Sequence, residues 1–215
     1  MTGQSRTPHL VYYADPMCPW CWGFAPVLNR LLLAYTPRLG FRMVMGGLSP
    51  GVTAPLDDYG RSVLVGRWRR IAGRTGRPLD PAIVERQDFV YDTEPACRAV
   101  VAAREASPDL ALPVFNRLQR AFFEEGRDTA RADAVAALMA EMGSGESWPT
   151  TLAAPATRAA TQHDFAETAA AGISGFPYLV AVDASGQRAP ITRGYTRLAN
   201  AQRILESWLA DAEAR

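Results

Sequence analysis

Cys18 and Cys21 enclose Pro19 and Trp20 in a C-x-x-C motif. Thiols at this spacing suit thiol–disulfide exchange, in which one thiolate attacks a disulfide sulfur and a second displaces the product. At the start of a helix, the helix dipole and free backbone N–H groups stabilise a Cys18 thiolate. Pro19 at the first helical position costs no hydrogen bond. Cys21, one turn on, is near enough to close a disulfide with Cys18, and helix geometry buries its sulfur more deeply. Cys18 is therefore expected to attack and Cys21 to resolve. The other reading of such a pair is half of a zinc site, which needs four ligands. Beyond the pair the chain offers only Cys97, His9 and His163, at no metal-motif spacing, so no metal is expected.

The flanking elements decide whether the motif is so placed. Leu10, Val11, Tyr12 and Tyr13 are apolar on both faces and predict a central strand from His9 to Ala14. Asp15-Pro16 breaks it. Phe24, Val27, Leu28, Leu31 and Leu32 recur with a helical period from Cys18 to Tyr35. A second strand from Phe41 to Met45 ends at Gly46-Gly47. The motif thus sits at the strand-to-helix junction of a βαβ unit. No strand is expected over 57–143. Helices are expected at 57–73, 94–105, 112–125 and 131–142, with Thr93 as an N-cap and Gly126 and Gly143 as C-caps. A Gly/Ser/Pro stretch over 143–149 closes this segment. Beyond it come a helix over 157–171, Gly175-Phe176-Pro177, and strands at 178–182 and 189–195 joined as a hairpin. An amphipathic helix over 197–212 ends the chain. The organisation expected is an α/β unit from residues 1–55 and 146–215, interrupted by an all-helical domain over 56–145.

Composition narrows the function classes. With 215 residues, 48% of them hydrophobic, the chain should bury roughly 70% of its unfolded surface without disulfide staples. A formal net charge of +1 speaks against a nucleic-acid binder that relies on bulk charge. No apolar run approaches the roughly 18 residues of a membrane span, so no membrane partner is expected. Residues 1–8 lack an apolar core, so no secretory signal is read and a cytoplasmic location is expected. All 23 basic residues are arginines, which excludes Schiff-base and phosphate-loop lysine chemistry.

The segment Asp15-Pro16-Met17-Cys18-Pro19-Trp20-Cys21-Trp22-Gly23-Phe24 resembles the active-site segment of the DsbA-like branch of the thioredoxin superfamily. Pro26 falls where thioredoxin-fold helices often kink. Gly175-Phe176-Pro177 resembles the family's cis-proline segment, and the helical block resembles the insertion DsbA-like proteins carry. Thr93-Glu94-Pro95-Ala96-Cys97-Arg98 is similar to FrnE-like predicted disulfide isomerases. The resemblance implies a thioredoxin-like fold, βαβ plus C-terminal ββα, with a helical insertion. It implies a disulfide oxidoreductase or isomerase acting on protein or small-molecule disulfides. It also implies a cis Phe176–Pro177 bond that turns the Phe176 backbone toward Cys18, free to pair with an extended substrate. Trp20 stands where DsbA has a histidine. The motif therefore holds no cation to favour the reduced pair. The potential is expected near those of thioredoxin and glutaredoxin, about −270 to −200 mV.

Pro19, Trp20, Phe176 and Pro177 are the expected substrate-binding residues; Trp22 reads either as a groove residue or as core. Asp15 fits an Asx turn with Pro16, or a proton relay to Cys21. Cys97 follows a buried helical pattern with Val100 and Val101. Arg67, Arg69, Arg70, Arg74 and Arg77 around Trp68 read as a solvated helix face, or as a site for acidic partners including glutathione carboxylates. His163 reads as a surface helix residue. No bound cofactor is expected, with glutathione a candidate redox partner. The competing functions are a glutathione-dependent isomerase or transferase of the kappa or hydroxychromene-carboxylate type, and a non-enzymatic thiol chaperone. Paired cysteines speak against the former, whose members generally lack them.

Overall fold

A computed structural model describes residues 7–143 and 147–213. Four strands form one mixed sheet in the order β2-β1-β3-β4. Strand β1 (His9–Ala14) runs parallel to β2 (Gly40–Met45), with Tyr12 opposite Met43, and antiparallel to β3 (Tyr178–Val182), with Tyr12 opposite Leu179. β4 (Arg188–Arg193) completes the hairpin with β3, with an irregularity at Leu179 and Val180. A parallel pair cannot be joined by a tight turn, so β1 and β2 require the crossover helix α1 (Pro19–Tyr35). Residues Leu10 to Ala14 are all buried, as expected for a strand covered on both faces. Alternation along β1 sends Tyr12 to Phe24 of α1 and Tyr13 to Glu167 on the opposite face.

Helix α2 (Asp58–Thr75) follows β2 and is capped by Asp57, whose Oδ1 accepts from Gly60 N–H at 2.7 Å. It runs past the expected end because Gly73 stays helical, while Gly76 takes the left-handed cap at φ 72°. Next come α3 (Ala82–Glu85), α4 (Glu94–Ala106), α5 (Ala111–Phe123) and α6 (Ala132–Glu141). Among the described residues 57–143 hold no strand. Thr93 occupies the N-cap position of α4 without capping it. Its hydroxyl accepts from Ser49 N–H at 3.1 Å, and Asp92 Oδ1 takes the Glu94 N–H at 3.0 Å. The domain boundary expected at 145–146, and part of the 143–149 linker, lie outside the described residues. From Trp148 on the chain is helical: Trp148 and Leu152 are buried and anchor a short helix, α7 (Trp148–Ala153). α8 (Pro155–Ala170) follows it. The second hairpin strand stops at Arg193, because Gly194 turns away with φ 88°. α9 (Leu198–Glu213) packs on β4.

Helices α4 and α8 both pack against β2. A buried carboxylate, Asp164 of α8, joins the three elements. It accepts from Met45 N–H at 2.8 Å and takes a two-pronged contact from Arg104 of α4 at 2.8 and 3.0 Å. Arg104 also donates to the Met43 carbonyl at 2.8 Å. This paired, fully hydrogen-bonded charge fixes the end of β2, from which the Gly46 loop departs toward the thiols. No helix among the described residues is long and apolar enough to cross a membrane.

Candidate active site

Cys18 is the N-cap of α1, with extended backbone and no side-chain cap, and its carbonyl accepts the first helical bond from Trp22 N–H at 3.1 Å. Asp15 holds the approach. Its carbonyl accepts from Cys18 N–H at 3.1 Å, and its Oδ1 accepts from Met17 N–H at 2.8 Å in an Asx turn. Oδ2 accepts from Leu48 N–H at 2.7 Å and from the Cys97 thiol at 3.3 Å. Burial pushes the Asp15 carboxyl up, against the pull of these donors. The carboxylate is thus occupied by the Gly46–Ser49 loop and α4 rather than by Cys21. Cys97 is buried on α4, and burial pushes its thiol well up.

The two motif thiols differ in what they meet. Cys18, 3% exposed, lines a groove of about 520 Å³; Cys21, fully buried, does not. Cys18 Sγ donates to the Phe176 carbonyl at 3.8 Å, which brings the two active-site segments together across 158 residues of sequence. The Phe176–Pro177 peptide is cis. Cys21 is unbonded to Cys18 and packs beneath it. Burial pushes the Cys21 thiol well above its ordinary value, and the neighbouring Cys18 adds to this. The Asp15 backbone and the adjacent Tyr12 hydroxyl pull the other way. That hydroxyl is buried with no hydrogen-bond partner, which leaves it available to a Cys21 thiolate when one forms.

Trp20 is half-buried, 6.0 Å from Tyr195 between ring centroids, and forms a ridge between two grooves. Pro19 and Trp20 line the Cys18 groove with Phe176, while Pro177 stands behind Phe176 at the start of β3. Trp22 points away from this groove. It stacks on Phe123 at 5.8 Å, carries the Arg77 guanidinium 3.4 Å from its centroid, and donates to the Pro78 carbonyl at 2.8 Å. The basic cluster is solvated at Arg67, Arg69, Arg70 and Arg74, with Arg77 half-buried. Trp68 is core, and of the exposed arginines Arg67 also lines the Cys18 groove and Arg74 the neighbouring one. His163 is exposed on α8. No cluster of three metal-binding side chains occurs among the described residues. A separate cavity, about 610 Å³ between α1 and α5, does not reach either motif thiol.

Three further residues shape the site. Tyr12 supports Cys21 from below. Tyr91 donates to the Met17 carbonyl at 2.6 Å and walls the Cys18 groove. Gly46 leaves room for the Phe176 ring, which a Cβ at that position would overlap. None has a local sequence signal. Tyr12 reads as core, Tyr91 lies in an irregular stretch, and Gly46 reads as the end of a strand.

The sequence matches the DSBA-like thioredoxin domain family over residues 9–206. Among solved structures it is similar to a Nitrosomonas europaea protein proposed to be a protein disulfide isomerase. The two share 34% identity and a TM-score of 0.87, with 95% of this chain and 98% of that one covered. It is also similar to the cytosolic disulfide reductase DsbM of Pseudomonas aeruginosa (26% identity, TM-score 0.74, 95% and 100% covered), a protein solved with GSH as well. The ClpXP adapter protein SpxH of Halalkalibacterium halodurans is 25% identical over 135 residues, 60% of this chain and 44% of the relative. The chain therefore spans under half the length of that curated relative.

Proposed function

Because the chain belongs to the DSBA-like thioredoxin domain family, we propose that it is a thiol–disulfide oxidoreductase or isomerase working through Cys18 and Cys21. The observation that carries this reading is the Cys18 sulfur at the head of α1. It opens into a groove and faces the Phe176 carbonyl across it. The Cys18 thiolate attacks one sulfur of a substrate disulfide, and the other sulfur leaves as a thiolate that takes up a proton. Cys21 then attacks the Cys18 sulfur. The first substrate sulfur departs, and a Cys18–Cys21 disulfide remains. In the oxidising direction the same steps run in reverse.

The surrounding residues divide the work. The helix N-terminus stabilises the attacking thiolate, and the Gly175–Phe176 backbone pairs with an extended substrate while Pro19, Trp20 and Phe176 supply apolar contact. Pro177 holds Phe176 at the thiol. Tyr12 and the Asp15 N–H stabilise the resolving thiolate when it forms. Glutathione is the proposed redox partner and the cytoplasm the proposed location; the similarity to a cytosolic reductase solved with GSH supports both. Reduction of insulin disulfides in the presence of a thiol reductant tests the activity. Wild-type protein should accelerate precipitation of the insulin chains, and Cys18→Ser should not. Equal acceleration by the two would place the chemistry elsewhere.

A further inference from the structure

The grooves on either side of Trp20 carry a charge pattern that the dithiol reaction does not use. Arg67 is the charged residue lining the Cys18 groove, and Arg74 and Arg193 line its neighbour of about 520 Å³. No aspartate or glutamate lines either groove, although the chain has 22 acidic residues against 23 basic ones. Among the described residues neither Arg67 nor Arg74 has an ion-pair or hydrogen-bond partner, whereas Arg61 and Arg77 pair with Asp58 and Glu124. Arg193 lies over the Tyr178 ring at 5.8 Å. Arg67 and Arg74 stand seven residues apart on α2. That is two turns, about 10.5 Å along one face. Ile71 lies between them, and Val63 and Leu64 precede them on the same stripe. An apolar stripe with cations spaced along it is complementary to a ligand with a short uncharged stem and carboxylate ends. A cavity of this volume suits a small molecule.

On the reading that Cys18 is the attacking thiol, we propose that these grooves select small disulfides whose arms carry carboxylates. One arm seats against Arg67 beside Cys18, and the other leaves toward Arg74 and Arg193. A bond forms between Cys18 Sγ and the near sulfur, and the substrate S–S bond breaks. Its electron pair departs with the far sulfur as a thiolate. Attack by Cys21 then releases the first arm. The protein dithiol is oxidised to a disulfide, the substrate is reduced to two thiols, and the protons of Cys18 and Cys21 end on the two products. Arg67 and Arg74 are specificity residues, fixing which arm lies where.

Three disulfides of different charge test this: oxidised glutathione, neutral hydroxyethyl disulfide and cationic cystamine. The readout is the second-order rate constant for oxidation of the reduced protein, followed by tryptophan fluorescence. Wild type should react fastest with oxidised glutathione and slowest with cystamine. Arg67→Gln and Arg74→Gln should each lower the ratio of the glutathione rate to the hydroxyethyl rate by up to about fivefold, the upper end for one solvent-exposed ion pair. They should also raise the cystamine rate relative to the neutral one. Unchanged ratios in both variants would overturn the inference while leaving the dithiol reaction standing. So would a wild-type preference for a longer peptide disulfide with Glu flanks over oxidised glutathione. Failure of the wild type with all three disulfides would instead overturn the dithiol reading, and this inference with it.

Discussion

Replacing Tyr12 with phenylalanine isolates one hydroxyl under the resolving thiol. The ring contacts to Phe24 and Phe115, at 6.1 and 6.0 Å between centroids, survive the change. The lost hydroxyl has no hydrogen-bond partner to orphan, so the fold should keep its stability. What is lost is the hydroxyl beside Cys21 that would hydrogen-bond its thiolate. A hydrogen bond to a charged group contributes about 1.5–3 kcal/mol, and one pKa unit corresponds to about 1.36 kcal/mol. The Cys21 thiol should therefore stand still further above its ordinary value. At neutral pH that cuts its thiolate fraction about 10- to 100-fold. A more basic thiolate is a better nucleophile, with a Brønsted slope of about 0.4–0.5, which returns nearly half of the loss on a logarithmic scale. The net slowing of resolution is about three- to twelvefold. Ellman's reagent separates the two steps in a stopped-flow trace, since attack by Cys18 releases one chromophore and resolution by Cys21 releases the second. The second phase should slow in Tyr12→Phe with the first unchanged. A second phase at the wild-type rate, in a variant of wild-type stability, would refute a role for this hydroxyl in resolution.

The same trace carries a pH prediction. Cys21 lies above its ordinary value because of burial first and the neighbouring Cys18 second. Its thiolate is therefore the minor form at neutral pH, and the second phase should accelerate about tenfold per pH unit between roughly pH 6 and 8; a plateau over that range would contradict it. Gly46→Ala puts a methyl where the Phe176 ring lies and should displace Phe176 from Cys18. Exchange with oxidised glutathione should fall about tenfold or more, and a wild-type rate would show that this contact is dispensable. Asp15→Ala strips the acceptor from the Met17 and Leu48 N–H groups. At about 1–3 kcal/mol for each orphaned donor, the loss should be roughly 2–6 kcal/mol in urea unfolding, and a loss under about 1 kcal/mol would mean that water replaces the carboxylate.

Much of the fold is legible in local patterns. The apolar run from Leu10 to Tyr13, the helical period from Phe24 to Leu32 and the hairpin turn after Val182 each place their elements nearly to the residue. Helix ends were readable where a glycine takes the left-handed cap, as at Gly143 and Gly172. A glycine that stays helical, as Gly73 does inside α2, marks no end. The pair Cys18 and Cys21 declares itself because its chemistry depends on spacing along one helix. The rest of the site is tertiary. Nothing within ten residues of Asp15 shows that it will meet Leu48 and Cys97. Tyr12 comes to lie beside Cys21 only because β1 lies under the first turn of α1. Arg67 and Arg74 look like surface charge until α2 is laid along the groove, since helical period alone does not say what the polar edge of a stripe faces.

Intact-mass measurement with thiol alkylation tests the dithiol claim most directly. Wild-type protein, Cys18→Ser and Cys21→Ser are each exposed to oxidised glutathione and then digested. The wild type should lose two hydrogens and yield a Cys18–Cys21 disulfide, with Cys97 alkylated. Cys21→Ser should accumulate one glutathione on Cys18, because nothing resolves it, and Cys18→Ser should remain unmodified. A wild-type protein that ends with glutathione on Cys18 and an alkylatable Cys21 would contradict the account, and so would a disulfide that includes Cys97.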